Sequence, residues 1–138
     1  MRPEDAPRAA ELATQLGYPS TADEVAARFA EIKAGPHDEV LVATDGADAV
    51  IGWIHVARIA SLTVSETARI GGLVVDESHR SAGIGAELVA AAEAWAREHG
   101  ARVITVSSRT TRERAHRFYE NLGYEESKRS HVFAKPLV

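Results

Sequence analysis

Residues 74–87 read VVDESHRSAGIGAE, and this stretch limits the possible folds more than any other in the chain. An apolar run ends, an arginine and two glycines occupy the turn, and an alanine-rich segment begins. Glycine inside a helix costs about 1 kcal/mol against alanine, so Gly83 and Gly85 need a reason at a helix start. Such a start carries unpaired N–H groups and about half a positive charge. Glycines there let an anion reach the backbone without meeting a Cβ. Arg80 adds a charged donor suited to phosphate oxygens. Two nucleotide signatures fail: GxGxxG would need glycine where Leu88 stands, and a P-loop needs lysine and a hydroxyl residue after the glycines. Two readings stay open from these residues, a tight strand-to-helix turn and an anion-binding one.

The rest of the chain supplies a scaffold for either. Its 138 residues, 45% hydrophobic and 26% charged, suit a single globular domain spanning 1–138. Cysteine is absent, which excludes disulfides, thiolate metal sites and a cysteine nucleophile. A net charge of −4 argues against a nucleic-acid partner. No apolar run approaches the roughly 18 residues of a membrane span, so no membrane partner is expected and the cytoplasm is the expected location. A homodimer is compatible with these features.

Periodicity and caps give the order of elements. Ala9, Leu12, Ala13 and Leu16 form a helical stripe closed by Gly17. Thr21 and Glu24 form a capping box for a second helix carrying Val25, Phe29 and Ile32, which ends at Gly35 and Pro36. Strands are expected at 39–44 and 50–57, joined by a turn at Asp45, Gly46, Ala47 and Asp48. A third strand, 68–75, is apolar on both faces as interior strands are. Its Gly71–Gly72 pair suggests a bulge or a close approach. A helix over 85–99 buries Leu88, Val89, Ala92, Trp95 and Ala96, and a short strand follows at 102–107. Thr110 and Glu113 are spaced to cap a last helix bearing Ala115, Phe118 and Leu122, and residues 124–137 alternate as one or two closing strands would. The order α-α-β-β-β-α-β-α-β predicts an α/β fold with a mixed sheet and helices on its faces.

About 35 residues beyond the glycine turn comes AHRFYENLGY, residues 115–124. An apolar strand, RxxGxG, a helix, a strand and then AxxFYExLGY together resemble the GNAT superfamily of acyl-CoA-dependent N-acetyltransferases. The resemblance covers residues 66–137 well and the first 60 in outline. It implies a mostly antiparallel mixed sheet whose first strand, limited here to Met1–Pro3, is short or absent. It further implies acetyl-CoA as co-substrate and a primary amine of a small molecule or peptide as acceptor. By the resemblance, Arg80, Ser81, Ala82, Gly83, Ile84, Gly85 and Ala86 bind the pyrophosphate, while Leu73 and Val75 pair with the pantetheine arm. A backbone N–H at Leu73 or Val74 steadies the oxyanion, as catalysis of acyl transfer requires. Tyr119 donates a proton to the departing thiolate, since both groups titrate at mildly alkaline pH.

The chain departs from the family pattern twice. Arg112 stands where many relatives place a cofactor-contacting Asn, and it can still reach a phosphate. Arg69 stands where some relatives place a general-base Glu. Glu66 is the best remaining carboxylate for that role, with a solvated loop charge as its plainer reading; a water chain is the alternative proton route. His55, on the second strand, is a candidate base because histidine chemistry suits that role near neutral pH, but it is more simply inert, and His79 is more simply a surface residue. Arg112, Arg114 and Arg117 form a basic helix face. Trp53 and Trp95 read as core. No histidine spacing suggests a metal site. A second class of function, a non-catalytic acyl-CoA sensor, would keep the glycine turn and lack turnover.

Overall fold

In the computed structural model, which describes every residue except Ser81, a short turn at Pro3–Asp5 leads into α1 (Ala6–Leu16) and α2 (Ala22–Ala34). Then follow β1 (Asp38–Thr44), β2 (Val50–Ile59), β3 (Thr67–Val75), α3 (Ile84–Glu98), β4 (Val103–Val106) and α4 (Glu113–Asn121). The chain divides into two compact units, Met1–Ser107 and Ser108–Val138.

The first unit is built on a four-stranded sheet in the order β1-β2-β3-β4. The first three strands are antiparallel neighbours and β4 runs parallel to β3. Helices cover both faces, and β2 shows why. Successive strand residues point to opposite faces. Trp53 Nε1 donates to the Ala9 carbonyl of α1 at 3.2 Å. At the adjacent Gly52, a Cβ would lie 3.2 Å from the Leu88 side chain of α3. So α1 lies on one face and α3 on the other. Under α1, Leu12, Val50 and Val74 form a buried cluster with Leu16, Val42 and Trp53 packed against it. Leu12 is fully buried, which favours folding by about 1.5–3 kcal/mol for a side chain of this size.

Local signals set most helix ends. The expected capping box of α2 forms, with the Glu24 amide donating to Thr21 Oγ1 at 3.1 Å and the Thr21 amide donating to Glu24 Oε2 at 3.0 Å. Of the two outcomes expected for the first strand, short or absent, the second holds: among the described residues no strand precedes α1, and the Met1 ammonium donates to the Val40 carbonyl at 2.9 Å. Two expectations need correction. The Thr110–Glu113 box does not form, because a turn closed by the Arg112 amide on the Arg109 carbonyl at 3.0 Å delays α4 until Glu113.

The second correction concerns the second unit, where α4 is the one regular element among the described residues and 124–138 form no strand. Val132, Phe133 and Leu137, large apolar residues of the expected strand segment, are exposed. Alternation states which side chains share a face; it supplies none of the ladder hydrogen bonds that make an extended segment a strand.

Candidate active site

The site in the first unit begins at an irregularity in β3. His55 of β2 pairs with Gly72, but the next residue, Val56, pairs with Ile70, so Gly71 is an extra residue. Two rings explain the glycines. A Cβ at Gly72 would lie 2.9 Å from Trp53 Cζ3, and one at Gly71 would lie 3.0 Å from His55 Nδ1. The sequence suggested a bulge or a close approach, and both occur.

The bulge also marks where β3 and β4 part. Their pairing runs from Thr67–Val103 to Ile70–Val106 and stops. Past the unpaired Gly71, residues Gly72 to Val75 keep their β2 partners, and among the described residues no strand pairs with their other side. This stretch contains Leu73, Val74 and Val75. An extended, amide-bearing ligand can add to such an edge as a strand would.

Beyond β3 the chain is held by Asp76. Its carboxylate caps the short turn Glu77–His79 through the Ser78 amide at 3.3 Å, accepts from Gln15 Nε2 at 3.4 Å and pairs with Arg8 of α1. The Ser78 amide first, then the Gln15 amide and the Arg8 guanidinium, hold its pKa at about 2. His79 sits half-buried beside it, with Nδ1 3.1 Å from Ser78 Oγ. Arg80 is exposed, with Nε donating to the Val75 carbonyl at 3.4 Å. Ser81, one of the turn residues singled out above, lies outside the described residues.

Gly83 has φ +80°, and a Cβ there would meet nothing within 4 Å. Conformation and not packing therefore requires glycine at this position. α3 begins at Ile84 with no side-chain cap, and its first backbone hydrogen bond runs from the Glu87 amide to the Gly83 carbonyl at 3.1 Å. The amides of Ile84, Gly85 and Ala86 therefore carry the unpaired donors of a helix start. An uncapped start, an open left-handed glycine and a nearby exposed arginine suit a pyrophosphate. Ala82, also exposed, completes the described part of the turn.

A cleft of about 380 Å³ opens between α1, α2 and the sheet, walled by Leu16, Val25, Phe29 and Trp53 and reaching Gly71 and Gly72. His55 also lines it, and His55 Nε2 lies 2.7 Å from Asp38 Oδ2. Sequence reasoning missed this pair. The two residues are 17 apart and meet only through the register of the β1–β2 hairpin. Arg69, on β3, is exposed.

Glu66 lies at the opposite end of β3. It is exposed, its carboxylate is 3.8 Å from Arg102, and its carbonyl accepts from the Arg102 amide at 2.7 Å. Leu73 is seven positions further on, roughly 23 Å along a strand at about 3.3 Å per residue. The structure does not bring Glu66 to the bulge.

In the second unit Tyr119 is half-buried on α4, with its ring edge-on to Phe118 at 5.0 Å and to Tyr124 at 5.6 Å between centroids. Burial pushes its hydroxyl above the ordinary tyrosine range, against an opposing pull from Arg112. Arg112 precedes α4, and it, Arg114 and Arg117 are exposed. Among the described residues no group of three or more His, Asp or Glu side chains could hold a metal ion, and no helix is long and apolar enough to cross a membrane.

Comparison with known proteins agrees with this geometry. The Acetyltransferase (GNAT) family pattern matches residues 7–124. The aminoglycoside N(6')-acetyltransferase type 1 of Stenotrophomonas maltophilia is 29% identical over 98% of this chain and 90% of its own length. A Bacillus halodurans C-125 protein described as a transcriptional regulator superposes with a TM-score of 0.86 at 26% identity, covering 98% of this chain and 96% of that one. The aminoglycoside N-acetyltransferase AAC(6')-Iy, solved in complex with CoA, has the same fold, with a TM-score of 0.85 at 21% identity over 98% of this chain and 91% of its own. With the family pattern across most of its length and this turn at the end of a parted strand, the chain belongs to the GNAT family of acetyl-CoA-dependent N-acetyltransferases.

Proposed function

We propose that the protein transfers the acetyl group of acetyl-CoA to the primary amine of a small molecule or peptide. The observation that carries this reading is the uncapped start of α3 behind Gly83, directly downstream of a strand whose outer edge is open from Gly71 to Val75. Pyrophosphate fits the first feature and the pantetheine amides fit the second. Arg80, Ala82, Gly83, Ile84, Gly85 and Ala86 hold the phosphates, with Ser81 assigned alongside them by the motif. Leu73, Val74 and Val75 align the thioester, and one of their amides polarises its carbonyl. The amine nitrogen bonds to the carbonyl carbon, the carbon–sulfur bond breaks, and Tyr119 supplies the proton that the thiolate takes. Arg112 is assigned a phosphate contact by its place in the motif.

Aminoglycosides are the first acceptors to test, because two of the relatives named above carry that substrate in their names. A thiol-release assay with acetyl-CoA over aminoglycosides, polyamines, simple primary amines and peptide N-termini tests the reading. Acceleration by at least one amine, with the acetylated product seen by mass spectrometry, is the expected result. Coenzyme A binding without acceleration by any amine would instead favour a sensor.

A further inference from the structure

The cleft between the helices and the sheet holds a charge arrangement that no family motif predicts. We propose that His55, oriented by Asp38, is the general base that takes the proton of the acceptor amine. The proposal rests on the acetyl-transfer reading above and adds the base that the motifs do not supply.

The two ring nitrogens of His55 are differently placed. Nε2 is 2.7 Å from Asp38 Oδ2, and an ionised carboxylate only accepts, so Nε2 carries the hydrogen. The tautomer leaves Nδ1 with a free lone pair. Nδ1 faces Gly71, and a Cβ on that residue would come within 3.0 Å of it. Gly71 sets no side chain against this nitrogen, and His55 and Gly71 both line the cleft. His55 pairs across the strands with Gly72, next to Leu73, so the lone pair is beside the stretch assigned to the thioester. Base and carbonyl thus share one short segment of β3, whereas Glu66 stands at its far end.

The surroundings suit the task. From β1 the facing charge is Asp38; from β3, Gly71 and Gly72 bring none. From the helices and the N-terminus, Arg28, Tyr18 and the Met1 ammonium line the same cleft. A carboxylate that orients the ring and stabilises the imidazolium is a recurrent support for a histidine base. The ammonium proton passes to His55 Nδ1, directly or through one water, before the nitrogen bonds to the acetyl carbon. The second proton leaves the nitrogen as the carbon–sulfur bond breaks and, through solvent, restores the Tyr119 hydroxyl that protonated the thiolate. The imidazolium afterwards releases the first proton to solvent. Asp38 is a positioning residue, acting only through the ring.

The test uses pH–rate profiles for two primary amines of different basicity, identified as acceptors in the panel above, with wild type, His55→Gln, Asp38→Asn and Glu66→Gln. In wild type the acidic limb of kcat should stay at the same pH for both amines. His55→Gln should lower kcat by about 100-fold at neutral pH, recover part of the loss at alkaline pH, where the free amine needs no base, and leave the Kd for coenzyme A unchanged. Asp38→Asn should move the limb and reduce kcat less, and Glu66→Gln should match wild type. A wild-type limb that tracks each amine's own pKa overturns the proposal without any variant having to fold. So does a His55→Gln enzyme with full kcat and an unmoved limb. A wild type that turns over no amine removes the acetyl-transfer reading and this role with it.

Discussion

Tyr119 and Asp76 show how one environment changes a side chain's chemistry. Burial raises the Tyr119 hydroxyl, so it stays protonated into the alkaline range, and the donor role proposed for it is tested by removing the hydroxyl. Replacing it with Phe keeps the ring and its edge-on contacts with Phe118 and Tyr124. Steady-state kinetics of Tyr119→Phe should therefore show kcat lowered about 100-fold with the acetyl-CoA KM little changed. Full activity would reduce Tyr119 to packing. Asp76 is shifted the other way, to about 2. A carboxylate whose folded pKa is depressed contributes stability that is complete above the ordinary aspartate range and lost as pH falls through the folded value. The melting temperature of Asp76→Asn should lie below wild type at neutral pH, and the gap should close between about pH 4 and pH 2. A gap independent of pH would mean that shape, not charge, holds the end of β3 to α1.

Two glycines flank α3 in nearly the same conformation, Gly83 at φ +80° before it and Gly100 at φ +82° after it, with no atom within 4 Å of either Cβ position. Alanine in that left-handed region costs roughly 1–2 kcal/mol, so Gly83→Ala and Gly100→Ala should lower the melting temperature by similar amounts. Only the first adds a methyl where the proposed pyrophosphate site exposes the amides of Ile84 and Gly85. Calorimetric titration should show a weaker coenzyme A Kd for Gly83→Ala and a wild-type Kd for Gly100→Ala. Equal affinity in both would leave Gly83 as a turn-former only. The same element carries its own foundation, since Leu88, Val89, Ala92 and Ala96 are buried while its start remains open.

In the first unit as a whole, the proposed function rests on a sheet that is continuous on one side of β3 and interrupted on the other. β2 pairs along nearly all of β3, while β4 stops at Ile70. Helices on both faces keep the interrupted strand in place, and Leu12 is the fully buried anchor of α1. Leu12→Ala should destabilise the protein by about 2–5 kcal/mol in urea unfolding. Coenzyme A affinity measured well below the transition should be preserved, because the phosphate turn hangs from β3 and α3. A parallel loss of affinity would place α1 in control of the turn.

The sequence by itself determined what neighbours along the chain decide. Helix α2 and its Thr21–Glu24 cap, the strand–turn–helix around Gly83 and the break at Gly71–Gly72 were legible because capping, glycine conformation and periodicity act within a few residues. The family motif carried the assignments of Arg80 and Tyr119. Tertiary structure decided what depends on partners far away in sequence. The rings over Gly71 and Gly72, the Asp38–His55 pair and the early end of β4 all follow from strand register, which spacing along one strand does not specify. The tail shows the converse: residues 124–137 read as closing strands in sequence, yet their backbone forms no strand. A side-chain pattern says which faces match; only the folded chain determines whether a partner stands opposite to complete the hydrogen bonds.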